Sequence, residues 1–181
     1  MTSKRPIKIS CAECFTHGKI AREIHSFARG YPSQYHWNIK PSQIKISLVG
    51  GVFAPTINSV ESLLKIKPLD PVLNLDGIKV YKEKEDLKMA TMMAQAVLKI
   101  SNSDIGIGTS AGIGKGGISV CNDKIILSCT SEIHADLRNS PVNLILERQK
   151  SGIEKALFLL ENLINGTIDS LYSENIIIRY K

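Results

Sequence analysis

Two cysteines, a glutamate, a threonine and a histidine crowd into the stretch Cys11-Ala-Glu13-Cys14-Phe-Thr16-His17-Gly18. Three chemistries suit such a set. The spacing of Cys11 and Cys14 is that of a thioredoxin-like dithiol. Cys11, Cys14 and His17 are also possible metal ligands, with Cys121, Cys129, His25 or His134 to complete the set, although no second CxxC and no HxxxH occurs. The third is a single nucleophile, Cys14, with Cys11 as a small buried hydrophobe. A structural role for both cysteines weighs about as much as the nucleophile on local pattern alone.

Position in the chain separates the two thiols. The apolar alternation over residues 7–11 reads as a strand, and the 3–4 spacing of Ile20, Ile24, Phe27 and Ala28 reads as a helix over residues 15–28, closed by Gly30. Cys14 then lies where strand gives way to helix, and unpaired amides and the helix dipole favour a thiolate there. Thr16 can cap the helix or donate its hydroxyl. His17 and Lys19 bring a switchable and a fixed positive charge, and Gly18 lets a ligand approach the backbone. Glu13 can orient a donor, act as acid or base, or pair with Lys19 or Arg22.

A second candidate segment holds six glycines between Gly106 and Gly117. It is not a Walker A loop, because Thr109 stands where that motif needs glycine. It is not a dinucleotide fingerprint, because a strand rather than a helix follows. Thr109, Ser110 and Lys115, with Ala111, Gly112 and Gly114 among them, can still form a backbone nest for an anion.

The elements that must position these residues alternate. Further strands are expected over 44–49 (ending in Gly50-Gly51), 78–81, 104–109, 118–121 and 125–128, with the last two forming a hairpin around Asn-Asp-Lys. Helices are expected over 58–66 (capped by Asn58 or Ser59), 84–100 and 141–163 (capped by Ser140), and an edge strand over 175–181. Residues 67–77 read as a turn-rich connection. The aromatic loop over residues 31–42 can stack on a planar ring or cover the core. Met89, Met92 and Met93 read as core filling, and His25 and His134 as structural or surface residues. The pattern gives one three-layer α/β domain, residues 1–181, with a mixed, mostly parallel sheet. Ligands of such sheets sit outside the carboxyl ends of strands, where both candidate segments fall.

Composition is that of an ordinary globular chain of 181 residues, with 43% hydrophobic and 22% charged residues. No apolar run approaches a membrane span and no apolar stretch follows the charged N-terminus, which points to a cytoplasmic protein. The formal net charge of +6 is concentrated in the first 50 residues, which suits an anionic partner such as a phosphate. No basic–aromatic interleaving supports nucleic-acid binding.

The run Ala12-Glu-Cys-Phe-Thr-His-Gly-Lys-Ile-Ala-Arg-Glu-Ile-His-Ser-Phe-Ala-Arg-Gly-Tyr-Pro32 resembles the N-terminal signature of the HcgF family, proteins of iron-guanylylpyridinol cofactor biosynthesis in methanogens. The resemblance extends over nearly the whole chain. It implies that guanylylpyridinol is bound as substrate, with no cofactor of the protein's own. It further implies that Cys14 forms a thioester with the ligand's carboxyl group once a ubiquitin-activating-type partner has adenylated it. It also implies a homodimer; the residues themselves lead us to expect no nucleic acid, membrane or metal as partner. A more distant similarity links Ala12–Gly18 and Thr109–Lys115 to the AESCTGG and TGIAGP motifs of CinA C-terminal domains, which are nicotinamide mononucleotide deamidases. That similarity implies a CinA-like fold, with ligand contacts at Glu13, Thr16, His17, Gly18, Thr109, Ser110, Ala111, Gly112, Gly114 and Lys115. It supplies an alternative, a pyridine-mononucleotide amidohydrolase; the departures at Cys14, Phe15 and His17 count against it. A non-catalytic nucleotide or metal binder is a third possibility. A thioester-holding site should have no general base facing the acyl carbon, whereas a deamidase needs one.

Overall fold

The computed structural model describes residues 5–40, 44–173 and 175–181. Residues 1–4, the start of the charged N-terminus, and 41–42, the end of the aromatic loop, lie outside them. In chain order the elements are β1 (Ile7–Glu13), α1 (Lys19–Arg29), β2 (Ile46–Phe53), α2 (Ile57–Leu64), β3 (Leu73–Leu75), β4 (Ile78–Val80), α3 (Glu83–Ser101), β5 (Ile105–Ser110), β6 (Ile113–Gly114), β7 (Gly117–Cys121), β8 (Ile125–Thr130), β9 (Ala135–Asp136), α4 (Val142–Asn165) and β10 (Ile177–Tyr180). A 3₁₀ turn covers Ile168–Ser173.

Six strands form one mixed sheet in the order β10-β8-β7-β5-β1-β2. Parallel pairing is confined to the end where β1 lies between β2 and β5; the β5–β7, β7–β8 and β8–β10 pairs are antiparallel. The carboxyl ends of β1, β2 and β5 therefore share one edge of the sheet, and Cys14 follows the first of them.

Strand alternation gives the two faces different textures. Ile9, Cys11, Ile105, Ile107, Ile118, Val120 and Leu127 point toward α1 and α4 and form one core with Ile20, Ile24, Leu157 and Leu160. The opposite face carries small residues, so α3 approaches closely. A Cβ on Gly106 would lie 2.2 Å from the Ala94 carbonyl oxygen, and one on Gly108 2.0 Å from that of Ala90. Helix α2 packs on α3 around Val60, Leu64, Met89 and Met93. Helices thus cover both faces, the three-layer arrangement expected of the pattern.

Several expectations need correction. Helix α1 begins at Lys19, not at residue 15, because residues 14–18 form a turn in which His17 (φ 53°) and Gly18 (φ 77°) are left-handed. Strand β2 continues through Gly50-Gly51 to Phe53, bulging against β1 between Ile9 and Ser10. The cap of α2 is Thr56 in a reciprocal box with Ser59, and α4 is preceded by Pro141, while Ser140 accepts from the Asp136 amide. The connection over 67–77 contains β3, which pairs with β4 around Asp76-Gly77. The strands expected over 104–109 and 118–121 are present as β5 and β7, but the glycine loop between them contains the short β6, paired with β9. The glycines from Gly106 to Gly117 mainly admit helix α3 rather than free a loop. The aromatic loop covers the core: Trp37 packs 4.5 Å from Phe27, and Tyr35 donates to Glu161 at 3.0 Å. The hairpin at Asn122 and the edge strand β10 are present as expected. Among the described residues, no helix is long and apolar enough to cross a membrane.

Candidate functional site

The turn after β1 is fixed from three sides. The Cys14 amide donates to Thr109 Oγ1 at 3.1 Å, and Thr109 Oγ1 lies 3.0 Å from Thr16 Oγ1. The Thr16 side chain also draws the Glu13 carboxyl toward its charged form. The Cys14 amide donates to Thr109, and either threonine hydroxyl can donate to the other. On the other flank, Lys19 Nζ donates to Gln149 Oε1, and Gln149 Nε2 donates to the Phe15 carbonyl at 2.9 Å. Phe15 also packs where Gly152 leaves room: a Cβ there would lie 2.4 Å from the ring.

Glu13 is fully buried and caps α1. It accepts from the amides of Ala21 at 2.8 Å and Ile20 at 3.2 Å. Burial raises its pKa above the ordinary value, against the pull of the Thr16, Ala21, Ile20 and Gly18 donors. The helix amides expected to serve an anion at Cys14 are therefore already bonded to a carboxylate of the chain. The glycine segment repeats the pattern. Asp86 accepts from the Gly112 amide at 2.7 Å and the Ser110 hydroxyl at 2.8 Å, and Glu83 accepts from the Lys115 amide at 2.9 Å.

Cys14 is 6% exposed, so the thiol expected to stand open is nearly enclosed, while Cys11 is completely buried. Burial, with the nearby Glu13 charge, pushes the Cys11 thiol well up, which removes it from thiolate chemistry. The turn thus brings Glu13, Cys14, Thr16 and Thr109 into one network. His17 turns away, edge-on to Phe53 at 5.3 Å, and burial followed by the Lys19 charge lowers its pKa; it is not a standing positive charge. Thr109, Ser110, Ala111, Gly112 and Gly114 are buried and Lys115 is exposed. Among the described residues, no group of His, Cys, Asp and Glu is placed to hold a metal ion.

Sequence reasoning missed three buried groups at this end of the sheet. Arg148, Asp86 and Tyr81 are enclosed together, and Cys14 is within electrostatic reach of Arg148 and Tyr81. A signal existed for two of them. Asp86 is in phase with the apolar stripe Ala90, Met93 and Val97, and Arg148 with Gly152 and Ala156. A charge on an apolar stripe is the exception that calls for a partner. Beside the turn, a groove of about 320 Å³ between α1 and α4 is lined by Lys19, Arg22, Tyr35, Gln149 and Lys150 among others.

These features define a three-layer α/β protein with a nearly enclosed cysteine at the carboxyl edge of its parallel strands. The chain belongs to the HcgF family: a family model described as "FeGP cofactor biosynthesis protein HcgF" matches residues 6–164. Relatives are methanogen proteins named UPF0254. One from Methanothermobacter thermautotrophicus (strain Winter) is 51% identical over 158 residues, 87% of this chain and 96% of its own length. One from Methanocorpusculum labreanum is 46% identical over 169 residues, 93% of this chain and 98% of its own. A third, from Methanocaldococcus jannaschii, is 36% identical over 156 residues, covering 83% and 92%. Membership assigns the chain to biosynthesis of the FeGP cofactor.

Proposed function

We propose that the protein binds guanylylpyridinol and that Cys14 takes up its carboxyl group as a thioester, after a separate ubiquitin-activating-type enzyme has adenylated that carboxyl. The observation that carries the reading is the contrast between the two thiols: Cys11 is sealed in the core, and Cys14 stands on a turn fixed by Thr109, Thr16 and Gln149. The Cys14 thiol releases its proton to solvent as its sulfur attacks the acyl carbon and forms the C–S bond, and the C–O bond to the adenylate breaks with its electron pair leaving on the AMP phosphate. Lys19, Arg22 and Lys150, which line the groove between α1 and α4 together with Glu23 and Glu154, are the cations that can meet the ligand's nucleotide phosphate.

Holding a thioester requires that water not be activated beside it. Both buried carboxylates at this end are engaged, Glu13 by α1 amides and Asp86 by Ser110 and Gly112. That favours an acyl holder over the amidohydrolase alternative, which needs a free base. The test is incubation with guanylylpyridinol, the activating enzyme and ATP. An adduct labile to hydroxylamine, with no ammonia released from nicotinamide mononucleotide, supports the reading. Ammonia release without an adduct refutes it. Homodimer formation belongs to the same proposal, and sedimentation equilibrium tests it.

A further inference from the structure

The Arg148 side chain on α4 is 1% exposed. Its Nη1 donates to the carbonyl oxygens of Gly112 at 3.1 Å, Gly114 at 2.9 Å and Ala135 at 2.7 Å. Its Nε is buried and has no hydrogen-bond partner among the described residues. The guanidinium carbon lies 5.9 Å from the centre of the Phe15 ring, one residue beyond Cys14. Carbonyls satisfy donors without cancelling charge. The acidic groups within electrostatic reach are Asp86, Asp136 and the Cys14 thiol. Asp136 is bonded in a bidentate pair by Arg138 at 2.6–3.1 Å, and burial draws Asp86 toward its neutral form. A buried cation with a spare donor and incomplete compensation is costly unless something else uses it.

Acylation of a thiol passes through a tetrahedral oxyanion, and the Ala21 amide of α1 and the amides of Gly112 and Lys115 are already bonded to Glu13, Asp86 and Glu83. We propose that Arg148 is the donor that takes up this negative charge when Cys14 is acylated. The inference rests on the reading of Cys14 as the acyl acceptor. As the Cys14 sulfur bonds to the acyl carbon, the C=O π pair moves onto oxygen, where the Arg148 guanidinium meets it. The pair returns as the bond to the leaving group breaks; the thiol proton goes to solvent, and Arg148 keeps its own protons throughout.

The test compares two reagents on the full chain. p-Nitrophenyl acetate acylates through an oxyanion and releases nitrophenolate; iodoacetamide alkylates at saturated carbon and forms none. Arg148→Met is expected to slow acetylation of Cys14 by about 10²–10³-fold and to change alkylation by less than about twofold. Arg148→Lys, the arm to use if the methionine variant does not fold, is expected to slow acetylation about tenfold with alkylation unchanged. Equal slowing of both reactions overturns the inference, because Arg148 then acts through the thiol or the fold. Unslowed acetylation in the variants overturns it too and leaves Cys14 as acyl acceptor. Wild-type protein that is alkylated at Cys14 but never acetylated there refutes both readings.

Discussion

Asp86 makes the pH dependence of stability a quantitative test of how this end of the sheet is built. Its carboxyl is raised from the ordinary 3.8 to about 7, chiefly by burial; bonds from Gly112 and Ser110, then the charges of Arg148 and Lys79, oppose the rise. Between these two values the folded protein keeps a proton that the unfolded chain has released, so stability falls as pH climbs through the window. A displacement of this size corresponds to about 4 kcal/mol at full extent. Asp86→Asn keeps the shape: its Oδ1 can accept from Gly112, and its Nδ2 can donate to the Ser110 oxygen. The variant loses this titration, so its stability relative to wild type should rise between pH 4 and 8 by up to about 4 kcal/mol. Urea unfolding followed by far-UV circular dichroism at four pH values reads the difference, and subtraction cancels the slopes of other groups. Parallel curves for the two proteins would refute the claim that Asp86 is buried against its charged form.

Other outcomes follow from the same contacts. Thr109→Val keeps the volume but leaves the Cys14 amide and the Thr16 hydroxyl without Thr109 Oγ1, and should cost about 1–3 kcal/mol in urea unfolding; an unmoved midpoint contradicts the network. Gly108→Ala places a Cβ 2.0 Å from the Ala90 oxygen and 2.5 Å from the Ala94 nitrogen, so α3 must shift. A loss of about 1–3 kcal/mol or more is expected, and a neutral thermal melt would show that α3 is not seated as described. Burial pushes the Cys121 thiol to about 11, the Cys129 thiol to about 12 and the Cys11 thiol upward. Iodoacetamide on native protein should therefore label Cys14 before the other three, and peptide mapping that finds another first refutes this order.

Much of the architecture was legible because its periodicities are plain. The alternation ending at Cys11 and the 3–4 spacing from Ile20 to Phe27 located β1 and α1, and the Asn122 turn located the β7–β8 hairpin. What escaped depended on contacts far along the chain. The start of α1 is not legible locally because Glu13, lying in a strand, reaches across to cap it. Gly117 imitates a loop residue because its constraint is the backbone of α3 at Asp86 and Leu87, which a local reading cannot supply. The pair Asp76-Gly77 did carry a hairpin signal, with Leu73–Leu75 and Ile78–Val80 beside it, but three-residue strands are too short to show alternation clearly. At the site, the residue types of the Cys14 turn stand out in the sequence as a group, while Arg148 and Asp86 lie on helices whose apolar stripes hide them.

The central claim is that one thiol, Cys14, carries the acyl group. The most direct measurement is fragmentation mass spectrometry of the tryptic peptide over residues 9–19, which holds both Cys11 and Cys14, after reaction with guanylylpyridinol, the activating enzyme and ATP. The account predicts one ligand acyl group on Cys14, removed by neutral hydroxylamine and absent from Cys14→Ala. An adduct of the same lability on Cys11, or one that persists in Cys14→Ala, would contradict it.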